Sequence, residues 1–128
     1  MGNRVCIDTD IIIDHLRGKG QGVKIFEKLI QHYAPVTTYV NKFELFCGAR
    51  SKYEIGIIKE TLSGFSILAF DDTACEEAGA IYRELKAHGS LIGIRDIMIA
   101  GIAIAHNIPI ATNNIKDFSR IKKVKVWP

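Results

Sequence analysis

Four short β-rich runs recur along this chain, each separated from the next by segments of helical pattern, and that alternation narrows the possible folds more than any other feature. The runs are Val5-Cys6-Ile7, Pro35-Val36-Thr37, residues 66–70 and residues 108–112. Adjacent parallel strands need a crossover of a dozen or more residues, usually a helix, whereas an antiparallel pair needs only a tight turn. The intervals here have crossover length and helix-like spacing of apolar residues. The reading is an α/β protein: a three-layer sandwich with a mainly parallel sheet of four to five strands, Val124-Lys125-Val126 supplying the last, and helices on both faces.

The helical segments predicted between these runs are 11–17, stopped by Gly18 and Gly20, then 22–32, 39–51 behind a Thr37 or Thr38 cap, 52–62, 73–88 and 97–105, with one turn at 115–118. Val40, Phe43, Phe46 and Cys47 form the apolar stripe of the 39–51 helix. Segment 97–105 is apolar on nearly every side, so it belongs in the centre of the fold. A chain of 128 residues, 48% hydrophobic and 24% charged, suits one globular domain over residues 1–128. Its longest apolar run is well short of the roughly 20 residues that span a bilayer, and the N-terminus shows no signal-peptide core. A cytoplasmic protein without membrane contact is expected.

Cys6, Cys47 and Cys75 are odd in number, far apart and set in apolar surroundings, which reads as buried reduced thiols and not as a disulfide framework or a zinc site. His15, His32, His88 and His106 lack metal-ligand spacing and lie near helix ends, so none is assigned catalysis. A net charge of +3, from 17 basic and 14 acidic residues, does not by itself mark a nucleic-acid binder. Its distribution is more informative. Arg17 and Lys19 follow the first helix, and Lys116, Arg120, Lys122, Lys123 and Lys125 crowd the last stretch. They read either as a basic surface beside an acidic pocket or as a solvated face.

The acidic residues carry the chemistry. In parallel α/β sheets ligand sites gather at the carboxyl ends of the strands, where Asp8 and Asn113-Asn114 fall. Asp8 also suits a helix N-cap. Glu44 has Val40, Asn41, Cys47 and Gly48 three and four residues away, with no Lys or Arg among them, so it reads as part-buried and unpaired. A bound cation would compensate it. Asp96 stands at the start of the apolar helix, where an acid favours the positive end of the dipole. Carboxylates about 4 Å apart repel by roughly 4 kcal/mol at an effective dielectric near 20, so a converged cluster persists with cations or with shifted protonation.

In this order the motifs resemble the PIN-domain nucleases, and among them the VapC-type toxins of prokaryotic toxin–antitoxin pairs. Residues 5–14, from Val5 through Asp8 to Asp14, look like the family's opening strand and first catalytic Asp. Val40-Asn41-Lys42-Phe43-Glu44-Leu45 looks like its Glu-bearing helix. Arg95-Asp96-Ile97-Met98-Ile99-Ala100 is similar to its third-acid helix, and Ile110-Ala111-Thr112-Asn113-Asn114 with Asp117-Phe118 resembles its closing motif. The family often has Asp where this chain has Asn114, so the fourth position stays open between Asn114 and Asp117.

What the resemblance implies is a PIN-like nuclease domain hydrolysing RNA phosphodiester bonds with Mg²⁺ or Mn²⁺. Asp8, Glu44 and Asp96 would be the catalytic metal ligands, with Asn114 and Asp117 as further candidates. Thr9 and Thr112 would either hold a water, orient a carboxylate or be plain strand-end hydroxyls. Arg17, Lys19 and Lys116 are candidate RNA contacts. The implied partners are RNA, a VapB-type antitoxin and a second copy of the chain. Two other readings compete. Val5-Cys6-Ile7-Asp8-Thr9-Asp10 also resembles the nucleophile strand of haloacid-dehalogenase-type phosphatases, though Ile12 departs from that pattern, and a PIN-like module could bind without cleaving.

Overall fold

The computed structural model describes residues 3–128. Met1 and Gly2, on which part of the N-terminal reading rests, lie outside the described residues. Strand β1 spans Arg4–Ile7, β2 Ala34–Thr38, β3 Ser66–Leu68 and β4 Ile110–Ala111. The helices are α1 (Thr9–Arg17), α2 (Gly22–His32), α3 (Tyr39–Cys47), α4 (Lys52–Leu62), α5 (Asp72–Ala87), α6 (Ile94–Ala105) and α7 (Ile115–Phe118). The four strands form one sheet in the order β3-β2-β1-β4, and every pairing is parallel.

The side-chain alternation of β1 makes the layers. Val5 and Ile7 point into one core with Ile11, Ile12, Phe26, Leu29, Leu45, Ile58 and Leu62, contributed by α1 to α4. Cys6 points the other way, into a second core with Ala74, Ala78, Ile81 and Leu85 of α5 and the buried face of α6. Helices therefore cover both faces, as the strand–helix alternation predicts. Helix α6 is central: Ile97, Ile99, Ala100, Gly101, Ile102 and Ala103 are all buried. Among the described residues no helix is long and apolar enough to cross a membrane.

Several element boundaries differ from those read in the sequence. Strand β3 stops at Leu68, not residue 70, because its partner β2 ends at Thr38 in register with Leu68. Strand β4 has only two residues, since Ile108 closes the end of α6 through a bond to the Ala103 carbonyl and Pro109 has no N–H to give. The expected fifth strand at 124–126 shrinks to a single bridge, Ile110 to Val126, because β4 is too short to ladder further. Helix α3 ends at Cys47, not residue 51, and α6 begins three residues early behind Gly93.

Two packing expectations are also corrected. Phe43 is exposed, and α3 buries Val40, Asn41 and Leu45 instead, so its inner face is turned from the stripe read in the sequence. Cys6 is buried as expected, but Cys47 at the end of α3 and Cys75 on the outer side of α5 are exposed free thiols.

Candidate active site

In the order β3-β2-β1-β4 the chain builds outward from β1 in one direction, then crosses back to lay β4 on its other side. Ligands bind at such a switch point, outside the carboxyl ends of the strands. Asp8 leaves β1 there and Thr112 leaves β4. Asp8 is the N-cap of α1, with extended backbone (φ −73°, ψ 158°), and it is buried. Its Oδ1 accepts from the Thr9 amide at 2.8 Å and the Asn41 Nδ2 at 3.0 Å, while Oδ2 accepts from the Thr112 hydroxyl at 2.7 Å.

The other acids come from helices. Glu44, on α3, accepts from the Thr9 hydroxyl through Oε1 at 2.8 Å. It is not unpaired, as its helix neighbours imply: Arg95, arriving from α6, places Nε 3.7 Å from Oε2. Asp96 lies in the first turn of α6, and its Oδ2 accepts from Asn114 Nδ2 at 3.1 Å. The same amide nitrogen donates to Asp117 at 3.1 Å. Asn114 thus joins two carboxylates as a neutral donor, with Asp117 brought beside Asp96.

Thr9 and Thr112, candidates for support, both orient carboxylates. Two residues of the cluster were not among the metal-site candidates read in the sequence, Asp10 having entered only as part of the phosphatase-like motif. Asp10 accepts from the Asn113 amide at 3.2 Å, and Asn41 is fully buried between Thr38 and Asp8. The Asp-x-Asp spacing was a visible signal for Asp10; Asn41 offered only its place three residues before Glu44.

Crowding shows in the acids' proton affinities. Burial, then hydrogen bonds that partly offset it, leaves Asp8 raised above the usual carboxylate range. Asp10 rises to about 6 through burial and the charge of Asp8. Asp96 also rises to about 6, through burial and the charges of Asp8, Glu44 and Asp117. The sign of the stability effect follows. Near pH 3 these carboxyls are mostly protonated in folded and unfolded chains alike; above about pH 4 the unfolded chain has released protons that the folded one retains until about pH 6, so stability falls across that window and levels off beyond it. Metal-free protein is therefore expected to melt at a higher temperature at pH 5 than at pH 7, with Asp10→Asn narrowing the gap. Scanning calorimetry in chelator checks this, and a melting point that climbs from pH 5 to 7 contradicts it.

The candidate RNA contacts divide. Arg17 sits at the far end of α1 from Asp8, about 13 Å along the helix, and with Lys19 it borders a different cleft, described below. They do not line the acidic pocket, because α1 runs away from the strand ends. Lys116 is exposed on α7 next to Asp117. Three of the C-terminal cations are occupied elsewhere: Lys122 pairs with Glu84 and Lys123 with Glu77 of α5, and Arg120 bonds to the Ser90 and Leu91 carbonyls. Arg95, not weighed as a cation in the sequence, forms an ion pair with Glu44 of the acidic cluster.

Among the described residues no three Asp, Glu, His or Cys side chains form a ready-made ligand set. The donor chemistry still fits a hard divalent cation: carboxylate oxygens, already held close enough to raise one another's proton affinity.

The sequence pattern of the PIN domain family matches residues 5–124. The chain belongs to the PIN domain family. Within it, the tRNA(fMet)-specific endonuclease VapC of Shigella flexneri is 30% identical over 119 residues, covering 90% of this chain and 89% of that protein. Ribonuclease VapC1 of Methanocaldococcus jannaschii is 29% identical over 121 residues, 94% of this chain and 83% of that one. Among solved structures, VapBC2 of Rickettsia felis bound to a promoter DNA fragment superposes with a TM-score of 0.85 at 26% identity, covering 97% of both chains. The DNA-bound VapBC of Salmonella typhimurium gives 0.85 at 25% identity, over 99% of this chain and 98% of the other. These likenesses span the whole PIN domain and displace the phosphatase reading, which rested on the first strand alone.

Proposed function

We propose that this PIN domain is a divalent-metal-dependent ribonuclease of the VapC kind, located in the cytoplasm, dimeric, and held inactive by a VapB-type antitoxin. What supports the reading is that Thr9 links Asp8 to Glu44 and that the charges of both act on Asp96, in a chain that is 30% identical to an RNA endonuclease over nine-tenths of its length. Asp8, Glu44 and Asp96, with Asp117, would hold Mg²⁺ or Mn²⁺. When bound, the ion supplies an activated water and neutralises charge on the phosphoryl and leaving oxygens. The chain supplies the rest. Thr9, Asn41 and Thr112 hold the carboxylate oxygens in place, and Asn114 keeps Asp96 and Asp117 adjacent. Arg95, half exposed beside Glu44, faces the approaching phosphate, and Lys116 extends positive charge along α7.

The test is cleavage of RNA by protein freed of antitoxin, in Mn²⁺ and in chelator. Metal-dependent cleavage well above that of Asp8→Asn supports the reading. Divalent-ion binding without cleavage moves the protein to the non-cleaving binding module.

The proposed antitoxin seat is a cleft of about 620 Å³ between α1, α3 and α4, apolar through Ile13, Leu16, Leu45 and Ile57 and rimmed by Arg17, Lys19 and Arg50, the last paired with Glu54 at 3.4 Å. An apolar floor with a basic rim fits an amphipathic segment carrying acidic residues. Ile57→Glu is expected to weaken antitoxin binding by about 10-fold or more, as a charge buried without a partner, while RNA cleavage stays unchanged. Titration calorimetry beside the cleavage assay reads both.

A further inference from the structure

Asn41 is a fully buried amide whose hydrogen-bonding capacity is saturated. Its Oδ1 accepts from the Thr38 amide at 3.2 Å and from the Thr38 hydroxyl at 2.7 Å. Its Nδ2 donates to Asp8 Oδ1 at 3.0 Å and to Thr9 Oγ1 at 2.9 Å. Two acceptor lone pairs and two donor hydrogens are all that such an amide offers. The orientation is fixed, because a flipped amide would set its NH₂ against the Thr38 N–H and its carbonyl against the Asp8 carboxylate.

Half of this arrangement is local. Thr38 and Asn41 form a capping box at the start of α3, and that motif needs only an acceptor at the third helical position, usually from Glu or Gln. The NH₂ group is not required by the cap. It faces away from it, toward the acids: one hydrogen fixes Asp8, the other fixes Thr9, whose own hydroxyl proton then goes to Glu44 Oε1 at 2.8 Å. One side chain on α3 therefore sets a carboxylate from the end of β1 and, through Thr9, a second carboxylate one turn further along its own helix.

We propose that Asn41 is a positioning residue: its amide locks Asp8 directly, and Glu44 through the Thr9 hydroxyl, into a single arrangement that receives the divalent ion. This rests on the metal-dependent reading above. Outer partners of this kind typically alter metal affinity by about 10- to 100-fold.

The experiment measures Mn²⁺ affinity by titration calorimetry for the full chain and for Asn41→Leu, Thr38→Val and Thr9→Val. Asn41→Leu removes both the cap and the donors; Thr38→Val removes the cap hydroxyl and leaves the donors. Asn41→Leu is expected to bind Mn²⁺ about 10-fold more weakly or worse, Thr38→Val within about twofold of the unaltered chain, and Thr9→Val at least about threefold more weakly. Thr9→Val and Asn41→Leu are expected to be non-additive, since they break one relay. Equal losses in Thr38→Val and Asn41→Leu would reduce Asn41 to a helix cap and overturn the proposal. If Asn41→Leu or Thr38→Val loses its circular dichroism, Thr9→Val decides: affinity within twofold of the unaltered chain overturns the relay. An unaltered chain that binds no Mn²⁺ at all sinks the metal-dependent function itself.

Discussion

Asp8→Asn is expected to lower RNA cleavage by about 10³-fold or more, about 4 kcal/mol of transition-state stabilisation, and at the same time to raise the melting temperature of the metal-free protein. The opposite signs come from one carboxylate. Asp8 is buried, and its charge raises the proton affinity of both Asp10 and Asp96. An amide of the same shape keeps an oxygen for the Thr9 amide and Asn41, and its NH₂ can donate to the Thr112 hydroxyl, whose own proton then turns to Asp10, 3.4 Å away. The hydrogen-bond network survives while one repelling charge disappears. Each kcal/mol of repulsion relieved is worth about 4 °C in a domain of this size. Cleavage assays and thermal melts on one preparation check the pair of effects, and an Asp8→Asn protein that melts lower than the unaltered chain contradicts the account.

Gly101→Val is expected to remove about 3 kcal/mol or more of stability, a large part of the 5–15 kcal/mol that domains usually possess. Gly101 lies inside α6, where alanine is the better helix former by about 1 kcal/mol. Its use is packing. A Cβ there would meet the Ala74 carbonyl oxygen at 2.6 Å, the Ala78 Cβ at 2.8 Å and the Ala78 nitrogen at 3.0 Å, so α5 and α6 touch almost backbone to backbone. Backbone atoms cannot swing aside as a long side chain can. The helices would have to part, carrying Asp96 away from Glu44. Gly101→Ala should show a smaller loss of the same kind, and chemical denaturation of the three proteins ranks them. Equal midpoints would contradict the close approach.

The layered architecture was legible because it depends on periods that a short window contains. Alternation in β1 and the all-round apolarity of α6 are properties of adjacent residues. The acids at the strand ends were legible for a related reason, since a parallel sheet sends all its carboxyl ends one way. What stayed hidden depends on partners distant in the chain. Glu44 looked unpaired because its own helix holds no cation, whereas Arg95 reaches it from α6. Asn41 looked like a bystander because its importance lies in Asp8 and Thr9, which no local pattern connects to it. Phe43 and Cys47 were placed inward because a helix's phase cannot be fixed until its packing face is known, and the cap at Thr38 sets that phase so that Asn41 faces inward instead.

Thr112 lies 104 residues beyond the Asp8 that its hydroxyl secures. At synthesis rates of about 5–20 residues per second, a growing chain carries Asp8 for about 5 to 20 seconds before the ribosome makes the residue that fixes it. Strand β4 and helix α7, which bring Thr112, Asn114 and Asp117, come last, and β1 has no neighbour on that side until they arrive. A product ending before residue 110 would contain Asp8, Glu44 and Asp96 without the Thr112 hydroxyl that holds Asp8 and the Asn114 amide that holds Asp96. The order of the strands thus makes the closing of the acidic cluster one of the latest steps in the making of the chain.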